Sequence, residues 1–92
     1  MILSFRHRGL KRLYEQDDPS KLPPAALTRI ENILARLDAA NSSQGMDVPG
    51  YRLHSLSGDM KGFWSVKVTG NYRIIFRFEN GTAHDVDLLD YH

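Results

Sequence analysis

The sequence closes on Asp90, Tyr91 and His92, a carboxylate, a phenol and an imidazole, three groups able to give or take a proton. Chain termini usually carry little unless something ties them down, so the triplet reads either as accident or as chemistry. Further in, His54 follows Arg52 in "YRLH", and Lys61, Lys67, Arg73 and Arg77 are spread through residues 51–77 with Asp59 as the only acid. A second basic stretch, Arg6, Arg8, Lys11 and Arg12, fills the first twelve residues without any acid. A charge run is commonly a solvated face whose counter-charges lie elsewhere in sequence. Basic residues interleaved with aromatics favour nucleic acid over a membrane surface as the anionic partner. His7 and His84 lack the spacing of metal ligands and read as structural or exposed, so neither a metal nor a cofactor is expected.

The bounds on what such groups could serve come from length and composition. Ninety-two residues suit one domain spanning 1–92, large enough to bury a core without staples. Cysteine is absent, which excludes a disulfide framework and a thiolate metal site. No apolar run reaches membrane-spanning length, and "MILSFRHRGL" turns basic too soon for a secretory signal. No membrane partner is expected, and cytoplasmic residence is the default.

The elements that must position these residues follow from periodicity. "MILSF" reads as a short strand, and "RHRGLKRLYEQ" as a short helix with Leu10, Leu13 and Tyr14 on one stripe, weakened by Gly9. After the break "DDPSKLPPAA", Pro23 and Pro24 suit the first turn of a second helix. Leu27, Ile30, Ile33, Leu34 and Leu37 form its inward stripe. "NSSQGMDVPG" is a polar loop, and the remainder alternates as strands. Trp64, Val66 and Val68 alternate with Phe63, Ser65 and Lys67; Tyr72, Ile74, Phe76 and Phe78 alternate with Arg73, Ile75, Arg77 and Glu79. For the apolar faces to coincide, "TGN" must be an odd-length loop, and "ENGT" is expected to form a three-residue loop with a bulge and Gly81 in the left-handed position. Phe76 and Val86 then share the core, with Trp64, Val66 and Ile74 buried beside them. The other face gathers Lys67, Arg73, Arg77, Asp85 and Asp87, joined by Arg52 and His54 if Leu53 packs inward. The expected fold is α+β: two N-terminal helices on one face of a small antiparallel sheet, the bare face open to a ligand.

These residues resemble a known family. "LSGDMKGFWSVKVTGNYRIIFRF", with Leu56, Gly58, Gly62, Trp64, Ser65, Asn71 and Arg73 at their spacings and "DYH" closing the chain, is similar to the HigB-type toxins of bacterial toxin–antitoxin modules, also called plasmid-maintenance killer proteins, in the RelE-like superfamily. The resemblance spans essentially the whole chain. It implies a ribosome-dependent endoribonuclease that cuts translated messenger in the A site. It also implies a partner, a helix-turn-helix antitoxin of the HigA type through which operator DNA is contacted only indirectly.

Cleaving RNA through its own 2′-hydroxyl requires a base, an acid and cations at the phosphate, with no metal. By their chemistry His54 and His92 are candidates for the two proton-transfer roles, Asp90 for orienting an imidazole, Arg73 for bidentate phosphate contact and Tyr91 for stacking or proton donation, and the resemblance favours His54, Arg73, Asp90 and His92 among them. Arg52, Lys61, Lys67, Asn71 and Arg77 are the accompanying RNA contacts. Ser57 and Thr69 stand where relatives often carry basic residues, leaving Lys61 or Lys67 to substitute. Strict alternation from Val86 onward points Asp90 and His92 to the core side and Tyr91 outward, so a catalytic Asp90 needs the "LL" pair to mark a bulge or the strand's end. Two alternatives stay open: a non-catalytic RNA-binding sheet, and a corepressor acting with its antitoxin.

Overall fold

The computed structural model describes residues 1–91, and the sequence-based expectation for His92 lies outside the described residues. Two helices, α1 (Arg8–Gln16) and α2 (Leu27–Ala39), cover one side of a four-stranded antiparallel sheet built from β1 (His54–Ser55), β2 (Trp64–Lys67), β3 (Tyr72–Glu79) and β4 (Thr82–Asp90) in sequence order. The α+β expectation is met.

Helix α1 starts where His7 accepts a hydrogen bond on Nδ1 from the Leu10 backbone N–H at 3.2 Å, a side-chain cap for one of the donors a helix start leaves open. Gly9 is buried, and a Cβ there would come within 2.8 Å of Lys21 Cβ, so the residue that weakens helix propensity is the one that lets the chain approach α1 closely. Pro24 opens a 3₁₀ turn, Pro24–Ala26, that leads into α2. Ile30, Ile33, Leu34 and Leu37 of α2 join Leu10, Leu13, Val66, Val68, Ile74, Phe76, Ala83 and Val86 in the core, as their helical and strand spacings require. At the end of α2, Asp38 Oδ1 accepts from the Ile2 N–H at 3.1 Å and from the Tyr14 hydroxyl at 2.6 Å. That carboxylate ties three segments together.

"MILSF" lies parallel to the outer edge of β4 through isolated bridges from Ile2 to Ala83 and Phe5 to Val86. The odd-length connection after β2 is present: Val68 N–H donates to the Tyr72 carbonyl at 3.0 Å, leaving Thr69, Gly70 and Asn71 between them. The "ENGT" expectation is corrected. Glu79 pairs with Thr82 across a two-residue turn in which Asn80 and Gly81 both have positive φ, 52° and 82°, the conformation favoured by a right-twisted hairpin. The extra residue needed for parity lies instead at Asp85, whose φ is 54°, where the register shifts between Ile75 and Arg77. That bulge keeps Phe76 and Val86 both buried.

Two further expectations are corrected. Trp64 is half-buried rather than buried, because its cross-strand partner Ser55 belongs to the two-residue edge strand and gives it little cover. "YRLH" is not a continuous strand, since Arg52 has φ 51° and only His54 enters the ladder.

Candidate active site

Ladder pairing turns the strand residues into rows on the face away from the helices. His54 lies opposite Ser65, Ser65 opposite Ile75, and Ile75 opposite Asp87. The next row is Lys67, Arg73 and Leu89. Beyond it, the Tyr91 backbone N–H donates to the Asn71 carbonyl at 2.8 Å, closing the end of the sheet. With strands ~4.8 Å apart and rows ~6.7 Å apart, the backbones of His54 and Arg73 are about 12 Å from each other. Side chains of their lengths can therefore converge on one phosphate.

The floor between them is not bare. Ser65 and Ile75 are 0% and 1% exposed, and the Ser65 hydroxyl has no hydrogen-bond partner among the described residues. A dry floor weakens solvent screening of the charges around it.

Arg73 is half-buried. Its guanidinium carbon lies 5.8 Å from the centroid of the Tyr91 ring, within cation–π range. Its buried Nη1 has no hydrogen-bond partner among the described residues. A buried donor left unmade is costly, and a ligand oxygen would satisfy it. His54 is exposed, with Nδ1 hydrogen-bonded to the Arg52 carbonyl at 3.2 Å. Tyr91 is 44% exposed and so presents ring surface to solvent.

Other residues singled out from the sequence are placed differently. Arg77 donates from Nε to Asp85 at 2.8 Å and from Nη1 to Glu79 at 2.7 Å. Those two carboxylates, Glu79 foremost, raise the guanidinium's pKa, while Arg77 lowers that of Glu79. Arg52 and Lys61 are exposed on the loops on either side of β1, and Lys67 is half-buried beside Arg73. The ladder runs regularly through Leu88 and Leu89 to Asp90, which pairs with Tyr72. No bulge marks the "LL" pair, and Asp90 takes the register position of the helix-covered face, at the strand's last residue. His7 caps α1, and the His84 Nε2 lies 3.0 Å from the Thr82 hydroxyl. Among the described residues, no group of three or more His, Asp or Glu could hold a metal ion.

Sequence reasoning missed a second cluster on the same face. Arg6 stacks over the buried Phe63 ring at 4.9 Å, with Asp85 4.0 Å from its Nε. The basic start of the chain was visible in the sequence; its meeting with Phe63 depends on how residues 1–6 run along β4.

A pair of helices on an antiparallel sheet, with imidazole, guanidinium and phenol groups on its other face, is a small two-layer α+β fold. The chain aligns over 100% of its length with 99% of a YoeB/ParE toxin from Agrobacterium tumefaciens, at a TM-score of 0.60 and 18% identity, a likeness of fold alone. A family described as the RelE-like toxin of type II toxin-antitoxin system HigB matches residues 3–92. The chain is 41% identical to the Endoribonuclease HigB of Proteus vulgaris over 100% of both chains. It is also 38% identical to Toxin HigB-1 of Vibrio cholerae serotype O1 over 90% of both. The chain belongs to the HigB family of RelE-like toxins, and membership of a type II system implies an antitoxin partner.

Proposed function

We propose that this protein is an endoribonuclease that cuts messenger RNA on translating ribosomes, by metal-independent transfer to the RNA 2′-hydroxyl. One observation carries the reading: Arg73 holds a buried Nη1 without a hydrogen-bond partner among the described residues and meets the Tyr91 ring, one row from His54. A phosphate at Arg73 takes up the open donor and has its transition-state charge stabilised there, while an unpaired base stacks on the exposed Tyr91 ring. His54 serves as one proton carrier. His92, next to Tyr91 in sequence, serves as the other, with the Asp90 carboxylate orienting an imidazole. Lys67, Asn71, Arg52 and Lys61 flank the path of the RNA, and Arg77 enters it only where Asp85 and Glu79 release it.

The site is a modest open face. Distorting and positioning the RNA therefore falls to the ribosome, and positioning alone accounts for a large part of many rate enhancements. The partner in the cell is a helix-turn-helix antitoxin of the HigA type, operator DNA is met only through it, and the toxin works in the cytoplasm. The test is primer extension on cellular messengers after induction, beside purified protein with naked RNA. Discrete cuts in translated messengers, absent with Arg73→Ala and with naked RNA at the same protein concentration, are expected. Efficient cutting of naked RNA would refute ribosome dependence.

A further inference from the structure

Two residues that take no part in the chemistry above meet on the open face. The Arg6 backbone N–H donates to the Val86 carbonyl at 2.8 Å, which fixes that residue at the sheet's edge, and its guanidinium carbon lies over the Phe63 ring, 4.9 Å from the centroid. Phe63 is 7% exposed, whereas the Arg6 side chain is 49% exposed. The ring is therefore the base of the stack and the guanidinium its outer surface. Asp85, the extra residue of the bulge, steadies the edge of that cation: its Oδ1 lies 4.0 Å from Arg6 Nε, while its Oδ2 accepts from Arg77 Nε at 2.8 Å. The Asp85 N–H in turn donates to the Ser4 hydroxyl at 2.8 Å, tying the bulge to the segment that carries Arg6. Bulges commonly re-aim side chains in this way.

The charges decide what this stack can hold. Arg6 and Arg77 are matched by Asp85 and Glu79, so the cluster offers a phosphate little net attraction. What remains is the flat outer side of a guanidinium, and unpaired bases stack on such planes. Tyr91 presents a ring to one base; Phe63 is too buried to present another, and Arg6 supplies the plane in its place. Phe63, directly before β2, and Lys67, at its end, are four residues apart, or ~13 Å at ~3.3 Å per residue, and Lys67 lies opposite Arg73. One nucleotide cannot touch both ends of the face, but a strand laid along it can. Building on the RNA reading of this face, we propose that Arg6, backed by Phe63 and steadied by Asp85, is a second base-stacking platform for single-stranded RNA, beyond the nucleotide held at Arg73 and Tyr91. Stacking grips a base by its flat side without reading its edge, so the platform tolerates any sequence.

The test measures binding of the purified protein to a 2′-O-methyl hexanucleotide, which has no free 2′-hydroxyl and so is not cut, and to the same backbone with every base removed, each across a range of salt. Arg6→Lys keeps the charge and loses the plane; Arg6→Met keeps an apolar cover over Phe63 and loses both. Both variants should weaken binding of the strand with bases about fivefold or more, the low end of what one stacked base contributes. Binding of the abasic strand by Arg6→Lys should stay within roughly twofold of wild type, with the same salt slope. Wild-type affinity in Arg6→Lys overturns the proposal, as do equal losses on the two strands or a wild type that does not bind the strand with bases. Wild-type affinity in Arg6→Lys with a salt slope lowered by about 0.7 in Arg6→Met would mean that Arg6 holds a phosphate instead. Arg6 is exposed, so Arg6→Lys should melt near the wild-type temperature, and it decides if Arg6→Met does not fold. A base-dependent loss in a protein that cuts no messenger would remove the ribonuclease reading and leave the platform standing; normal cutting without that loss would remove the platform alone.

Discussion

One part of the Arg73 guanidinium meets the Tyr91 ring and another is buried without a hydrogen-bond partner among the described residues. A contact that holds the phosphate and also stabilises charge developing on it affects binding and chemistry together. Arg73→Ala should raise KM and lower kcat in ribosome-programmed cleavage, by tenfold or more in kcat/KM, for about 1.4 kcal/mol or more of lost transition-state stabilisation. His54→Ala should lower kcat by ~10² or more while KM stays within about twofold, because a proton carrier contributes to the chemical step alone. Tyr91→Phe keeps the ring and should hold KM near the wild-type value, and Tyr91→Ala should raise it. Removing Tyr91 and His92 together should abolish cutting while shifting the melting temperature little, since Tyr91 is exposed and contributes little burial.

At the scale of elements, the sheet face depends on two register shifts that cancel. The two-residue turn at Asn80 and Gly81 moves β4 by one residue relative to an in-phase hairpin, and the bulge at Asp85 moves it back. Parity in the sequence demanded one extra residue between Phe76 and Val86, and the expectation that these two share the core was correct. The position of that residue was not legible, because Asn, Asp and Gly all tolerate left-handed backbone and "ENGT" and Asp85 satisfied the same parity. The other face was legible in its charges, Lys67, Arg73 and Arg77, but not in its floor. Alternation assigned Ile75 and Ser65 to that face without revealing that they are buried. The φ of Arg52 had no local signature, since arginine has no preference for it. Gly81→Ala tests the turn: a Cβ there would have Asn41 atoms at 3.8 and 3.9 Å, which is ordinary contact, so the cost is conformational. Urea denaturation should show a loss of about 1–2 kcal/mol, and melting should fall roughly 4–8 °C per kcal/mol. Cleavage per folded molecule should not change.

Across the whole molecule, the response to pH follows a few surface contacts. Glu79 is held below the usual carboxylate range by Arg77, and Asp18 by hydrogen bonds from Ser20. A depressed folded pKa contributes stability above the unfolded value and loses it as pH falls through the folded one, so both act on the acid limb. Tyr14 has the opposite sign. Its hydrogen bond to Asp38 raises the phenol pKa, so its contribution is full below the unfolded value and lost as pH rises through the folded one. Melting curves recorded against pH should show the acid limb flattened by Glu79→Gln, and the fall above about pH 10 flattened by Tyr14→Phe. A Tyr14→Phe protein with an unchanged alkaline limb would mean that Asp38 does not hold the phenol in solution.

The parallel seam between "MILSF" and β4 also bears on how the toxin comes into being. Its contacts join residues as far apart in sequence as Ser4 and Asp85, 81 positions from each other, and closing so large a loop must precede any reward from the contact. Chains emerge N-terminus first. Helices α1 and α2 can form early, but the strand that pairs with Arg73 and leads to Tyr91 has no existence until Thr82–Asp90 has been made. A half-synthesised chain, still threaded through the ribosome, therefore lacks the complete sheet face that carries Arg73 and Tyr91. Topology withholds that face until Thr82–Asp90 has left the ribosome.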